Sequence, residues 1–485
     1  MADQLEYLFV KYETTDIFTS FEKLLVWLFR HAGIYLPAVS VPLFIRYLRN
    51  DISNVVIKGE MSPLSMHLQS RRAEQTRVNI NIIGESVLGE EEAKERVKKY
   101  INALKNPDID YISIKISTIF SQITPLAHQW SVDKIAQRLA LIYTTAMEHT
   151  YTDIQGEQHA KFVNLDMEEY RDLSLTVDVF MQTLSRDPFT GLHAGIVLQA
   201  YLPDALEYLK KLAAWAKVRV QNGGAPIKVR LVKGANQEME LTEGSLRGWP
   251  CVTYLDKAET DANYKILMDY LLDPDVAPFV HTGVASHNLF DLALGVMLSK
   301  ERNVEAYYSA EMLEGMSEAA YKVLKEEGLN VILYAPTATL ETFTNAIAYL
   351  VRRFDENTAE QNFLRHSFGL TVGSKSWERL VESYEDALAA VPDTRLTPFR
   401  TQDRNLAPIA SEEKQPYHFT NRSDTDFALE QNRKWAENVR DKWQNIGKHG
   451  GFNAYPVIGG ATEGSQEAVA VIDKSQYHDK VMVGK

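Results

Sequence analysis

The alternation of short β-rich runs with amphipathic helical stretches is the feature that most limits the fold of this 485-residue chain. Eight such runs follow one another, and helical patterns such as "GEEEAKERVKKYINAL" lie between them. Eight consecutive strand and helix units predict an α/β fold of the (β/α)8 barrel type, whereas an open doubly wound sheet is the alternative. The predicted strands are 77–84, 111–117, 161–167, 193–200, 227–233, 277–283, 304–309 and 331–335.

The pattern of residues along the chain divides it into four parts. Residues 1–75 have helical spacing without strand-like alternation, which predicts an N-terminal helical arm ahead of a barrel at 76–392. Residues 393–425 combine prolines, charges and turn formers without periodicity, which is typical of a linker. Residues 426–485 contain one helical stretch and then short hairpin-like pieces, which indicates the incomplete start of a second domain.

Composition excludes several classes of protein. Hydrophobic residues make up 45% and charged residues 24%, as in ordinary soluble globular proteins. The formal net charge of -13 disfavours nucleic acid as a partner. Cys251 is the only cysteine, so no internal disulfide or cysteine zinc site can form, and a cytoplasmic location is expected. The uncharged stretch 32–45 is shorter than a spanning helix and contains two prolines, and no secretory signal is visible at the N-terminus.

Polar side chains stand at or near the C-terminal ends of most predicted strands. In a (β/α)8 barrel these ends face one mouth, where active sites lie. A single polar residue at a strand end is usually solvated or paired, so the convergence is what indicates a site. The residues concerned are Glu85, Lys115, Asp166, Gln199, Arg230, Lys233, His287 and Tyr334.

The cations of this set predict an anionic ligand. Burying Lys115, Arg230 and Lys233 is costly unless anions offset them. Asp166 and Glu85 can offset part of the charge, and a ligand with phosphates or carboxylates can offset the rest. Gly234 and Ala235 leave room for a pyrophosphate beside the backbone, although an ordinary turn glycine is the alternative.

The segment 337–358 has the apolar spacing of a helix, and Tyr349, Arg352 and Arg353 can share one flank of it. Two guanidinium groups beside an aromatic ring suit a carboxylate, although surface pairing with Glu356 is the alternative.

Two histidines, His281 and His287, lack acidic partners at a metal-ligand spacing, so no metal site is predicted. His287 is either a ligand contact or an ordinary loop histidine.

The motifs "RLVKGA" and "YAPTATLETFTNAIAYLVRR", with the lysine of "YISIKIS", resemble the proline dehydrogenase half of the bifunctional proline utilization A flavoenzymes. The resemblance covers about residues 1 to 390 in order. It implies a distorted (β/α)8 barrel that binds FAD non-covalently and oxidises L-proline to Δ1-pyrroline-5-carboxylate by hydride transfer to flavin N5. It also implies a quinone as electron acceptor. No G-x-G-x-x-G, P-loop, nucleophile-elbow or H-E-x-x-H motif supports another enzyme class.

The resemblance assigns roles position by position. Lys115, Arg352 and Arg353 match ligands of the proline carboxylate, and Glu85 matches a gating partner of the first arginine. Asn236 stands where many members have a tyrosine. The pocket walls match Asp166, Leu313, Tyr334 and Tyr349, and the flavin contacts match Gln199, Arg230, Lys233, Gly234, Ala235, Lys257, Thr260, Ser286, His287, Asn288 and Glu356.

The stretch "SDTDFALEQNRKWAENVRDKWQNIG" (423–447) resembles the entry to the family's aldehyde dehydrogenase module, which is normally part of the same polypeptide. Activity of that second kind is not expected from this chain, and a DNA-binding segment ahead of the arm is not expected either. Peripheral association with the inner membrane face is a family-based expectation. The alternatives are a flavin barrel for another small amino acid or a folate-like substrate, as in methylenetetrahydrofolate reductases, and a non-catalytic scaffold.

Overall fold

The computed structural model describes residues 19–84, 87–153, 156–358, 362–367, 369–406, 421–448, 455, 457–462, 471–472, 474 and 482–484. Eight parallel strands form the barrel: β1 (Arg77–Ile82), β2 (Tyr111–Lys115), β3 (Phe162–Asp166), β4 (Gly195–Gln199), β5 (Ile227–Val232), β6 (Val280–Ala285), β7 (Tyr308–Leu313) and β8 (Val331–Ala338). Each strand pairs with the next, and β8 pairs back onto β1, so the sheet closes. The predicted (β/α)8 fold is confirmed.

The helices alternate with the strands. They are α1 (Ser20–His31), α2 (Pro37–Asp51), α3 (Met61–Ala73), α4 (Glu90–Lys105), α5 (Ile116–Ile119), α6 (His128–Glu148), α7 (Leu173–Leu184), α8 (Ala205–Gln221), α9 (Gln237–Arg247), α10 (Lys257–Leu271), α11 (Leu289–Glu301), α12 (Glu318–Glu326), α13 (Phe343–Thr358), α14 (Phe363–Ser367), α15 (Lys375–Ala390) and α16 (Glu430–Lys448). None of the helices in the described ranges is long and apolar enough to span a bilayer.

The barrel strands are buried on both faces, as parallel strands between a lumen and a ring of helices must be. All residues of β3, β4 and β8 are buried. Most of their apolar side chains join those of the surrounding helices in one large core, whereas Phe162 and Ile332 form a small separate cluster with Tyr111. The strands are therefore held rigidly, and side chains at their C-terminal ends have fixed positions.

The seventh strand was predicted at the wrong place. Residues 305–307 form a 3-10 turn, and the strand runs from Tyr308 to Leu313 instead of over 304–309. The sequence "YSAEML" contains serine, alanine and glutamate, which are weak strand formers, but pairing of Tyr308 with Thr282 on β6 overrides that preference. This shift brings Glu311 into the barrel.

The N-terminal arm packs on the C-terminal end of β8. Besides its helices, the arm contains a short strand that was not predicted, Ile57–Lys58, which pairs with Thr337 and Ala338. A second apolar cluster joins the arm to α13; it comprises Val56, Ile83, Ala338, Phe343, Ala346 and Tyr349, with Ile45 and Leu48 packed against it. The arm thus supports the helix that carries the two predicted carboxylate ligands.

The segment after the barrel also contacts it. Arg400 is buried, donates to the carbonyl of Pro250 at 2.9 Å and pairs with Asp426 at 3.2 Å. Residues on both sides of the predicted boundary at 425 therefore pack together. Residues 407–420 lie outside the described residues, and the four-part division of the chain stays a prediction.

Candidate active site

Asp166 is the centre of a polar cluster inside the barrel. Its Oδ2 accepts a hydrogen bond from the Tyr334 hydroxyl at 2.8 Å, and its Oδ1 accepts from Ser113 Oγ at 3.1 Å and Asn164 Nδ2 at 2.9 Å. Arg230 Nη1 lies 3.6 Å from the same Oδ1. Burial raises the pKa of Tyr334 well above its ordinary value, and Asp166 adds to the shift. The structure therefore brings together three residues that the sequence analysis assigned to the site.

Arg230 is held by a carboxylate that the sequence analysis missed. Glu311 Oε2 lies 2.9 Å from Arg230 Nε, and Glu311 Oε1 lies 2.5 Å from Lys228 Nζ. The Arg230 guanidinium also lies over the Tyr334 ring, 4.3 Å from its centroid. Burial would lower the pKa of Arg230, but Glu311 and then Asp166 raise it above its ordinary value. The unbalanced cations of β5 were the signal that pointed to an interior anion.

A glycine on β6 makes space for this ion pair. A Cβ added to Gly283 would lie 2.2 Å from Glu311 Oε1 and 2.8 Å from Lys228 Cε. We expect Gly283→Ala to lower the free energy of unfolding by about 1–3 kcal/mol, the usual cost of overpacking. Gly191→Ala is the control, because a Cβ there meets no atom of the described residues within 4 Å. Urea unfolding of both variants measures the difference, and equal losses would show that the pair can move aside.

Lys115 is the last residue of β2, and it forms an ion pair with Glu168, just after β3. Burial would lower the pKa of Lys115, but Glu168 and then Asp166 raise it above its ordinary value. The Glu168 carbonyl accepts hydrogen bonds from Gln199 Nε2 at 3.1 Å and Asn236 Nδ2 at 3.0 Å. Asn236 therefore stabilises the loop after β3, which carries Glu168, the ion-pair partner of Lys115.

Lys233, just after β5, lies between carboxylates of α10 and α11. Its Nζ is 2.6 Å from Asp261 Oδ1 and 2.8 Å from Asp291 Oδ2. Lys257, at the start of α10, also pairs with Asp261. Burial would raise the pKa of Asp261, but Lys233 and then Lys257 bring it to about 2. Gly234 follows with φ of 119°, and a Cβ there would lie 2.6 Å from the Tyr201 ring, so only glycine fits.

These pairs change the charge argument for a ligand. Each of Lys115, Arg230 and Lys233 has a carboxylate partner within the chain. The burial of these three cations is therefore no argument for a bound anion, and the anionic ligand stays a prediction. Glu168, Glu311, Asp261 and Asp291 were missed because carboxylates in a loop, in the first two turns of helices and on a displaced strand carry no periodic signal.

The loop after β6 combines the predicted residues Ser286, His287 and Asn288. Ser286 Oγ accepts from the Asn288 N–H at 3.0 Å, and Asn288 caps α11 through the Phe290 N–H at 2.9 Å. His287 Nε2 accepts from the Leu313 N–H at 3.1 Å. Burial lowers the pKa of His287 to about 4, with a further contribution from Arg353, so the ring is neutral at pH 7.

The two arginines of α13 differ in their surroundings. Arg353 is half-buried, and its guanidinium lies 5.4 Å from the centroid of the Tyr349 ring. Arg352 is exposed on the same helix. Ala235 is exposed and Thr260 is half-buried in the first turn of α10. Glu85 and the side chain of Glu356 lie outside the described residues.

A further buried carboxyl follows β3. Burial raises the pKa of Asp172 to about 7, and Glu169 and Glu168 oppose its ionisation while Arg171 favours it. Because the folded pKa exceeds the unfolded value, stability from this group is complete below about pH 3.8 and is lost as the pH rises through about 7. We expect Asp172→Asn to raise the free energy of unfolding at pH 8 by on the order of 1–3 kcal/mol, and by less at pH 5.

The measurement is urea unfolding at both pH values. Asp275→Asn, which changes an exposed carboxyl, is the matched control. A gain for Asp172→Asn that is as large at pH 5 as at pH 8 would contradict the assignment.

Two buried polar atoms at the mouth indicate whether the residues there suit a flavin. Gln199 Oε1 and His287 Nδ1 are buried and have no hydrogen-bond partner among the described residues. Because His287 Nε2 accepts a hydrogen bond and the ring is neutral, Nδ1 carries the proton and is a donor. A heteroaromatic ring with both donors and acceptors would satisfy both atoms, so these residues fit a flavin.

A closed barrel with ionisable side chains converging at its strand C-termini defines a (β/α)8-barrel enzyme site. The model of the proline dehydrogenase family matches residues 64–366. This match covers more than half of the chain, and the chain therefore belongs to the proline dehydrogenase family.

Named relatives agree with this membership. The bifunctional protein PutA of Klebsiella aerogenes is 29% identical over 266 residues, which cover 52% of this chain and 18% of the relative. A solved structure of proline utilization A from Corynebacterium freiburgense is 36% identical with a TM-score of 0.68, over 87% of this chain and 39% of that one. The solved structure of proline utilization A from Bdellovibrio bacteriovorus is 27% identical with a TM-score of 0.71, over 96% of this chain and 46% of that one. The chain thus spans less than half the length of these proteins.

Proposed function

We propose that this chain is the catalytic barrel of an FAD-dependent proline dehydrogenase that oxidises L-proline to Δ1-pyrroline-5-carboxylate and passes the electrons to a quinone. The observation that carries the proposal is the convergence of Lys115, Asp166, Tyr334 and His287 at the C-terminal ends of neighbouring barrel strands in a member of the proline dehydrogenase family. The relatives named bifunctional support a further proposal, that an aldehyde dehydrogenase module belongs to the same polypeptide.

The substrate would be held by its carboxylate. Lys115 and Arg353 are the cations that suit this group, and a guanidinium can bind a carboxylate in a bidentate manner. Arg352 carries the same proposed role from its exposed position. Charge-assisted hydrogen bonds of this kind raise the affinity for a small ring and also hold it in one orientation. Correct orientation of the reacting groups supplies much of the rate enhancement in such reactions.

The walls of the pocket would be Tyr334, Tyr349 and Leu313. Tyr334 and Tyr349 are both largely buried, so their rings exclude water from the pyrrolidine carbons. Asp166 accepts a hydrogen bond from the Tyr334 hydroxyl at 2.8 Å, so this hydroxyl already has a partner within the chain. The resulting surface is apolar at the ring and cationic at the carboxylate.

FAD would supply the acceptor for the hydride and its two electrons, while the amine proton of the substrate leaves to solvent and the ring C–N bond becomes a double bond. Gln199 and His287 offer one acceptor and one donor to the cofactor. Arg230 and the segment Lys233 to Ala235 carry the proposed contacts beside it, together with Lys257, Thr260, Ser286, Asn288 and Glu356.

Turnover by the FAD-loaded chain with a soluble quinone analogue tests the proposal. We expect L-proline to be consumed and a cyclic imine to form, trapped as its adduct with o-aminobenzaldehyde. D-Proline tests the orienting role of the carboxylate ligands, and trans-4-hydroxy-L-proline tests the width of the pocket. Turnover of a reduced folate without turnover of L-proline would overturn the substrate assignment.

A further inference from the structure

Four alternating charges form a column through the lumen of the barrel. They are Lys228, Glu311, Arg230 and Asp166, and the exposed fractions of these residues are 5%, 1%, 8% and 9%. Successive members lie 2.5, 2.9 and 3.6 Å apart, measured between the Lys228, Glu311, Arg230 and Asp166 side-chain atoms. Lys228 and Arg230 are two residues apart on β5, so both side chains point to the same face of the strand.

The column has one end near the proposed cofactor and one end away from it. Arg230 and Asp166 lie at the mouth with Tyr334, whereas Lys228 is at the start of β5 and lies 5.7 Å from the centroid of the Tyr111 ring. Tyr111 is the first residue of β2, so this end is the opposite opening of the barrel. Lys228 and Glu311 therefore reach a ligand at the mouth only through Arg230.

The lumen is built to hold this column. Gly283 leaves the space that Glu311 and Lys228 occupy, and Glu311 has almost no exposed surface. The formal charges of the four members add to zero. In a medium of low dielectric constant, removing one member leaves an unbalanced charge that water screens poorly.

We propose that Glu311 and Lys228 are positioning residues which fix the Arg230 guanidinium and set the net positive charge that it presents to the flavin. This inference rests on the proposed flavin site. A reduced flavin carries more negative charge than an oxidised one, so the charge balance of the column controls how readily the flavin accepts electrons.

Three variants test the sign of the effect. Glu311→Gln removes a negative charge and should favour reduction of bound FAD, by about tenfold in the two-electron equilibrium, which is a rise of about 30 mV in midpoint potential. Lys228→Met removes a positive charge and should lower the potential. The double variant restores a zero sum and should return the potential close to that of the unaltered chain.

Lys161→Met is the structural control, because Lys161 is also buried but donates to the carbonyl of Asn106, away from the column. It should leave the potential unchanged. Shifts of the same sign in both single variants, or no shift in either, would overturn the proposal.

A second readout does not need the flavin. Thermal unfolding of the two single variants and the double variant is measured in flavin-free protein. The decrease in Tm of the double variant should be smaller than the sum of the decreases of the two single variants, which shows that the two residues are coupled. Failure to bind FAD would refute the proposed flavin site, whereas additive losses in flavin-free protein would refute the Lys228 and Glu311 pair itself.

Discussion

Replacing Arg353 with methionine is expected to raise KM for L-proline by about 10- to 100-fold with little change in kcat. The expected size follows from the loss of charge-assisted hydrogen bonds to the carboxylate, which contribute about 1.5–3 kcal/mol. Arg353 is half-buried beside Tyr349, and it contributes to the lowered pKa of His287 in the loop after β6. Steady-state kinetics of the FAD-loaded chain measures the effect.

Two further variants sharpen this test. Lys210→Met removes an exposed cation from α8 and should leave KM unchanged. Arg352→Met should raise KM less than Arg353→Met, because Arg352 is exposed in the structure. A rise in KM that is larger for Arg352→Met would show that α13 presents its other flank to the substrate, and no rise for Arg353→Met would remove this residue from the site.

Replacing Asp166 with alanine is expected to lower the free energy of unfolding by about 3–5 kcal/mol, the range seen when one partner of a buried ionic network is removed. The change leaves Tyr334, Ser113 and Asn164 without their acceptor. It also leaves Arg230 with Glu311 as its carboxylate partner. Chemical unfolding followed by circular dichroism measures the loss.

Asp166→Asn removes the negative charge but keeps the size of the side chain and one acceptor oxygen. It should lower the free energy of unfolding by less than Asp166→Ala does. Asp275→Ala changes an exposed aspartate and should stay within about 0.5 kcal/mol of the unaltered chain. A loss for Asp166→Ala no larger than that of Asp275→Ala would show that the cluster does not stabilise the fold.

The barrel could be predicted from the sequence because its strands are short apolar runs separated by amphipathic helices. The position of β7 could be predicted only in part. Tyr308 and Ser309 fall in the predicted run, but Ala310 to Leu313 lack the pattern of a strand and form one through pairing with β6 and β8. The short strand Ile57–Lys58 was invisible for a related reason. Two residues have no periodicity, and the strand exists only because the end of β8 offers it hydrogen bonds.

The cations of the candidate site were predictable, and their partners were not. Lys115, Arg230 and Lys233 stand out because charged residues at the ends of buried strands are unusual. Glu311, Glu168 and Asp291 come from a strand, a loop and a helix that only the closed barrel brings together. The roles that the resemblance assigns to individual residues stay predictions.

An anaerobic visible spectrum of the FAD-loaded chain, recorded before and after addition of L-proline, tests the proposed cofactor and substrate together. We expect the oxidised flavin band to disappear on addition of L-proline. We also expect the Arg353→Met variant to keep the band at the same concentration of proline. A flavin spectrum that L-proline leaves unchanged would contradict the proposed substrate, and failure of the chain to take up FAD would contradict the proposed cofactor.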